Sequence, residues 1–235
     1  MYLSIIVPTY NEETRVVPTI DSLVSYLNTK SYSWEIIICD DGSTDNTVSL
    51  LKLWSQNSPF TKIIELDHFG KGWAVMNGML SAKGSLKFMC DADMSMPVTE
   101  IDSFITHIKN GYDIVIGSRN LTESNKYEEP LIRQLIGTIF HYFVRIVAIK
   151  DFKDTQCGYK CFTSYAAKQL FTAQKIYGWG FDVEILMRAQ KYGLRIYENP
   201  IEWTYKSGSK IKFGKDTLQM IRDIVITRLR IFRHK

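Results

Sequence analysis

Five short apolar runs rich in β-branched residues, each stopping at or beside a polar cluster, constrain this chain more than any other feature. They are Leu3-Ser4-Ile5-Ile6-Val7, Glu35-Ile36-Ile37-Ile38-Cys39-Asp40, Lys62-Ile63-Ile64-Glu65-Leu66, Leu86-Lys87-Phe88-Met89-Cys90 and Asp113-Ile114-Val115-Ile116-Gly117. Nearly continuous apolarity, rather than strict alternation, marks strands covered on both faces. The segments between them carry helix signals. Pro18 stands in the first turn of a helix reaching about Asn28, and Ser43 or Thr44 can cap a helix bearing Val48, Leu51 and Leu53. Gly70-Lys71-Gly72-Trp73-Ala74 opens a further helix and Pro97 the next, while Gly78 falls where a helix pressed on a sheet needs a small residue. Strand and helix alternate with short connections, so the chain is α/β: a mostly parallel sheet with helices on both faces.

In such a sheet the loops that follow strands share one edge, where ligands bind. Tyr10-Asn11-Glu12, Asp40-Asp41-Gly42, Asp91-Ala92-Asp93 and Ser118-Arg119 therefore converge. Two carboxylates at i, i+2 on an extended segment point the same way, so Asp91 and Asp93 can hold one hard cation. Oxygen ligands, few in number and on an open loop, suit Mg2+ or Mn2+ arriving with substrate phosphates. The spacing alone carries little, because fourteen Asp in 235 residues give about one such pair by chance. The strand-end context carries the argument. A donor linked through a diphosphate needs that cation, acceptors for its base and ribose, and a positive charge for a phosphate or base edge. Asp40, Asp41 and Glu12 fit the second need, and Lys71 at a helix start fits the third.

No linker or charge block divides the 235 residues, which read as one large domain with a C-terminal appendage. Four cysteines without a Cys-x-x-Cys spacing read as buried thiols in a reducing, cytosolic setting. The first strand begins almost at once, so no signal peptide is expected, and no apolar stretch is long enough to span a bilayer. The net charge of +4 is uneven: Lys210 to Lys235 holds eight Lys/Arg against Asp216 and Asp223. Positive charge thus sits in the tail rather than over the sheet edge, which excludes a nucleic-acid-binding reading. In that tail Leu218, Ile221, Val225, Leu229 and Phe232 recur at helical spacing, flanked by Arg222, Arg230 and Arg233. Leu131 to Lys150 is apolar and aromatic but carries Arg133, His141 and Arg145, which points to a helix lying in an interface or packed on the body. Beyond it come a strand-like Lys160-Cys161-Phe162-Thr163, a helix entered through Trp179-Gly180-Phe181-Asp182-Val183-Glu184, and a last strand from Arg195 to Tyr205.

Pro8-Thr9-Tyr10-Asn11-Glu12, Asp40-Asp41-Gly42-Ser43-Thr44-Asp45, Lys71-Gly72-x-Ala74, Asp91-Ala92-Asp93 and Gly117-Ser118-Arg119, in this order and spacing, resemble the family 2 inverting glycosyltransferases of GT-A (Rossmann-like) fold. Asp154-Thr155-Gln156-Cys157-Gly158-Tyr159-Lys160, Trp179-Gly180-Phe181-Asp182-Val183-Glu184 and Gly208-Ser209-Lys210 resemble the dolichyl-phosphate β-glucosyltransferase branch. The resemblance implies transfer of a hexose, glucose from UDP-glucose, to a polyprenyl or dolichyl phosphate. It implies a nucleotide-sugar site of Pro8, Tyr10, Glu12, Asp40, Asp41, Lys71 and Asp91, a metal on Asp91 and Asp93, and an acceptor-phosphate site of Arg119 and Arg133. The catalytic set it implies is Asp91, Asp93, Arg119 and Asp182, with Asp182 the base if the acceptor is a glycan or protein hydroxyl. A catalytic domain over residues 1–209, including the 131–150 segment, and a basic amphipathic helix over 210–235 would meet the cytosolic face of a membrane peripherally. His68, His107, His141 and His234 lie outside the strand-end clusters and receive no role. Two departures stand out: Ser95 replaces a Gln that related mannosyltransferases use at the metal, and no N-terminal membrane helix precedes the first strand.

A nucleotidyltransferase would want a Gly-rich phosphate loop after the first strand, and Pro8 to Glu12 contains no Gly. A non-catalytic sugar-nucleotide-binding module could dispense with Asp93, which this chain keeps.

Overall fold

A computed structural model describes residues 1–56, 58–127, 131–206, 208, 210 and 214–232, with the backbone alone for 131–136. Five strands alternating with four helices come first: β1 (Leu3–Thr9), α1 (Val16–Leu27), β2 (Trp34–Asp40), α2 (Thr47–Ser55), β3 (Thr61–Glu65), α3 (Lys71–Ser81), β4 (Leu86–Met89), α4 (Ile101–Lys109) and β5 (Ile114–Ser118). Then follow β6 (Asn125–Tyr127), α5 (Leu131–Val147), β7 (Lys160–Thr163), α6 (Ser164–Ala173), α7 (Phe181–Lys191), β8 (Ile196–Pro200), β9 (Glu202–Thr204) and α8 (Lys215–Phe232). The main sheet runs β3-β2-β1-β4-β7-β5-β8, and β6 pairs with β9 apart from it.

Strand alternation divides the core into two layers. Ile5 and Val7 of β1 join Val16, Ile20 and Leu23 of α1 and Phe104 of α4 on one face. Ile6 faces the other way, into a cluster with Val75 and Met79 of α3, Phe140 and Val144 of α5, Leu170 of α6, Leu186 of α7 and Ile224 of α8. With both faces covered, the strands had to be apolar at successive positions. Gly78 is the close approach expected of it: a Cβ there would stand 2.5 Å from Ile6 Cγ2 and 2.8 Å from Cys39 Sγ. All four cysteines are free and buried.

Two expectations need correction. The last strand is not continuous: β8 pairs in the main sheet, and after Ile201 the chain turns into β9 of the small one. Neither Ser43 nor Thr44 caps α2; Ser43 is drawn to Asp40, and Asp45 Oδ1 accepts from Thr47 N instead. The sheet is mostly parallel as expected, with one strand reversed: β7 inserts between β4 and β5 and runs antiparallel to both. That insertion sets the 157–160 segment beside the end of β4, which matters for the site.

The tail helix packs on α7 and α5 through a face other than the one its stripe suggested. Met220, Ile224, Thr227 and Ile231 are buried, whereas Leu218, Val225, Leu229 and Phe232 remain exposed. On α5, likewise, Phe140 and Val144 point inward while Ile139, Tyr142 and Ile146 are exposed. No helix among the described residues is long and apolar enough to cross a membrane.

Candidate active site

The loops after β1, β2, β3, β4 and β5 meet in one cleft of about 1110 Å³, walled across from them by α5, α7 and the start of α8. Pro8, Tyr10, Glu12, Asp41, Lys71, Asp91, Asp93, Arg119 and Asp182 all line it. Asp40 does not. It lies buried beneath the wall, where Oδ1 accepts from Thr9 Oγ1 (3.1 Å) and Ser43 Oγ (2.5 Å) and Oδ2 accepts from Ser43 N (2.8 Å). With both oxygens engaged, its carboxylate shapes the loop rather than presenting itself to a ligand. The Arg133 side chain lies outside the described residues.

Asp41 pins the β3–α3 connection. Its carboxylate accepts from Phe69 N at 3.0 Å and Gly70 N at 2.9 Å, and His68 Nδ1 lies 2.8 Å from its Oδ2. Gly70 pays for this turn with φ +117°, a conformation that a side chain would strain, and a Cβ there would press on Tyr177 O at 2.9 Å. The same loop lays the His68 ring flat on Tyr10, with centroids 4.2 Å apart and planes at 17°. His68 therefore belongs to a strand-end cluster after all, two residues beyond Leu66, and His141 of α5 also lines the cleft. The signal of His68 in the sequence is the polar Asp67-His68 pair that follows β3.

At Asp91 and Asp93 the premise of an extended segment fails. β4 ends at Met89, Asp93 sits in a turn, and Met94 takes φ 55°. Asp93 Oδ1 accepts from Ser95 N at 2.9 Å, the local bond that Asp makes in turns. Nor is Asp91 unpaired: Lys71 Nζ stands 2.6 Å from its Oδ1. A Cβ added at Gly158 would land on the Asp91 carboxylate, so glycine is what leaves space for it. Asp91 and Asp93 offer oxygen donors only, and no cluster of three His, Cys, Asp or Glu able to hold a metal occurs among the described residues. Such a pair fits Mg2+ or Mn2+ that completes its shell with diphosphate oxygens and water.

Two buried ion pairs flank these acids. Lys160 Nζ, 1% exposed at its side chain, donates to Asp182 Oδ1 and to Cys157 O, both at 2.6 Å. Burial raises the Asp182 carboxyl above its usual range although Lys160 and Lys71 pull it down. For Lys71 burial works against the charge, and Asp91 and Asp182 outweigh it, so the ammonium is held. On the far side, Arg119 donates from Nε and Nη2 to Asp154 at 2.6 and 3.0 Å, with its Cζ 5.5 Å from the centre of the Trp203 ring. Burial pushes the Asp154 carboxyl up, but Arg119 beside it prevails and holds it at about 2. Glu198 in turn accepts from Asp154 N and Lys153 N, fixing the loop that presents Asp154. Asp154, Gly158 and Lys160 thus have roles that their sequence positions alone do not signal.

A mixed sheet with β7 antiparallel, carboxylates at the end of a central strand and lysine and arginine around one cleft defines a site suited to a phosphate-bearing donor. Residues 4–170 match the family model of Glycosyl transferase family 2, and the chain belongs to that family. It is 40% identical over 247 residues to dolichyl-phosphate beta-glucosyltransferase of Dictyostelium discoideum, covering 98% of this chain and 75% of that one. The enzymes of the same name from Saccharomyces cerevisiae and Homo sapiens are 35% and 33% identical, each over 97% of this chain and 75% of theirs. Among solved structures, glucosyl-3-phosphoglycerate synthase from Mycobacterium tuberculosis in complex with Mn2+ and UDP-glucose shares the fold, with TM-score 0.70 at 17% identity over 98% of this chain and 78% of that one.

Proposed function

We propose that this chain transfers glucose from UDP-glucose to dolichyl phosphate, with inversion at the anomeric carbon. The observation that carries the reading is the meeting of Asp91, Asp93, Lys71 and Arg119 on the wall of one cleft. The relatives' names support the acceptor and the sugar; the Mn2+ and UDP-glucose complex of the structural neighbour supports the donor.

Asp91 and Asp93 would hold Mg2+ or Mn2+, which supplies positive charge to the departing diphosphate when bound. Lys71 adds a second positive charge at the start of α3, whose N-terminal dipole also favours phosphate. Pro8, Tyr10 and Glu12 form the floor on which the nucleoside rests, beside His68. Arg119, on the cleft wall, holds the acceptor phosphate, and the bonds from its Nε and Nη2 to Asp154 fix the guanidinium plane. An acceptor phosphate oxygen attacks the anomeric carbon as its bond to the diphosphate oxygen breaks, and UDP leaves with that electron pair. A phosphate monoester has a second pKa of about 6, so the attacking group is already dianionic near neutrality and needs no strong base. Asp182 is not called on for that task and is committed to Lys160.

The test is incubation with UDP-[14C]glucose, dolichyl phosphate and Mn2+, followed by organic extraction. Label in the lipid phase that depends on dolichyl phosphate is the expected result. Label appearing only on aqueous glycan or protein would favour a hydroxyl acceptor and overturn the reading.

The same reading places the chain peripherally on the cytosolic face of a membrane, where such an acceptor resides. Ile139, Tyr142 and Ile146 of α5 and Leu218, Leu229 and Phe232 of α8 are exposed, and both helices also line the cleft, Tyr142 being one of the lining residues of α5. Arg145, Arg222, Arg228 and Arg230 are exposed beside them. Each basic residue near an anionic leaflet adds about 1 kcal/mol, so binding should be reversible and salt-sensitive. The protein is expected to float with anionic liposomes at low salt and to be released at high salt, and Leu229→Glu should reduce flotation. Undiminished flotation of that variant would leave the exposed stripe without a membrane role.

A further inference from the structure

We propose that Lys71 is a built-in counter-ion that occupies Asp91 until a diphosphate arrives, so that a divalent cation enters together with the nucleotide rather than before it. The proposal rests on the reading above in which Asp91 and Asp93 hold the cation. Three observations on the cleft wall support it.

First, the Lys71 ammonium and the Asp91 carboxylate stand 2.6 Å apart, with side chains only 15% and 25% exposed. A free cation must therefore displace an ammonium that water screens poorly. Second, Asp91 is confined on the side of Gly158. The Gly158 backbone lies against its Oδ2, close enough that a single added methyl would overlap the carboxylate. The route of exchange is thus movement of the lysine, not of the acid. Third, only the lysine's stem is free to move. Its backbone opens α3 directly after Gly70, whose N–H is fixed on Asp41 at 2.9 Å. Of the other carboxylates whose charge reaches it, Asp182 is bonded to Lys160 at 2.6 Å and Asp93 accepts from Ser95 N at 2.9 Å, so Asp91 is its direct partner. Diphosphate oxygens entering the cleft provide what the protein withholds: a second anionic partner for Lys71. Its departure then bares Asp91 at the moment when the nucleotide brings further oxygen ligands for the cation.

Binding of cation and nucleotide must then be coupled, and by linkage the coupling is reciprocal. The experiment is calorimetric titration of Mn2+, with and without UDP, into the wild-type protein and into Lys71→Met. Wild type should bind Mn2+ weakly alone and more tightly with UDP. Lys71→Met should bind Mn2+ alone on the order of tenfold tighter than wild type, the low end of what one adjacent opposite charge does to a carboxylate's affinity for a proton. The factor by which UDP strengthens Mn2+ binding should shrink in the variant. Adding Asp91→Asn should erase the gain. If Lys71→Met binds Mn2+ alone no tighter than wild type, or if the gain survives Asp91→Asn, the counter-ion role is wrong. If wild type binds no Mn2+ even with UDP, the metal reading fails and the proposal with it. Lys71→Gln, which keeps a polar group in the cleft, repeats the measurement should the Met variant fold poorly.

Discussion

Asp93→Asn is expected to lower kcat/KM for sugar transfer by at least about a hundredfold, the scale of losing one positioned charge-stabilising group. The fold should survive. Asp93 is half-buried at the cleft, and its contact among the described residues is the bond from Ser95 N to Oδ1, which an Asn side-chain oxygen can also accept. The thermal midpoint should therefore stay within about 2 °C of wild type, since a substitution that strands no buried group costs little. Raising Mn2+ should recover part of the activity if the loss is one of cation affinity. A wild-type rate in the variant would remove Asp93 from the metal site, and an equally large drop in stability would make it a structural residue.

Lys160→Met should be the most destabilising of the substitutions considered, by about 3–5 kcal/mol, because breaking a buried pair leaves an uncompensated charge. Asp182 is buried and would keep its carboxylate with no Lys160 against it, while Cys157 O would lose the same donor. Adding Asp182→Leu should return much of the stability, since an apolar pair of similar size suits the site. The pH dependence distinguishes this account from a simple packing defect. Burial already raises the Asp182 carboxyl, and removing Lys160 removes the first of the charges that lower it. The folded variant then binds the Asp182 proton more tightly than the unfolded chain does. The stabilising effect of that proton is present at low pH and is lost as pH rises through the folded-state value. Urea unfolding should accordingly show a larger deficit for Lys160→Met at about pH 8 than at about pH 5. A deficit independent of pH would mean that lost contacts, not the stranded carboxylate, account for the change. Asp154 shows the opposite sign: held at about 2 in the folded state, it contributes stability above the ordinary carboxylate range and loses it as pH falls towards 2.

What the chain could reveal on its own was local and periodic. The strands β1, β2, β4 and β5 were legible because a strand buried on both faces must be apolar at successive residues, a pattern that survives in one dimension, while the edge strand β3, only partly buried, was legible from Ile63-Ile64. Helix starts at Lys71 and after Pro97 were legible from glycine and proline, whose backbone preferences act within a turn. The convergence of Tyr10, Glu12, Asp41, Lys71, Asp91, Asp93 and Arg119 followed from parallel topology alone, since the ends of parallel strands share an edge.

What only the tertiary structure decided was pairing between residues distant in the chain. Nothing near Asp91 in sequence announces Lys71 or Gly158, and nothing near Arg119 announces Asp154. Gly158 and Asp154 reach their partners because β7 enters the sheet antiparallel between β4 and β5, a choice that four residues, Lys160 to Thr163, cannot advertise, whereas Lys71 reaches Asp91 from the start of α3. Asp40 and Asp41, identical neighbours in the sequence, part company for the same reason. Successive side chains at a strand end point to opposite sides, so one carboxylate closes on Ser43 beneath the wall and the other on the Gly70 turn in the cleft. Periodicity tells which residues share a face; charge compensation between faces is settled only when the chain has folded and each buried acid has found the base that reaches it.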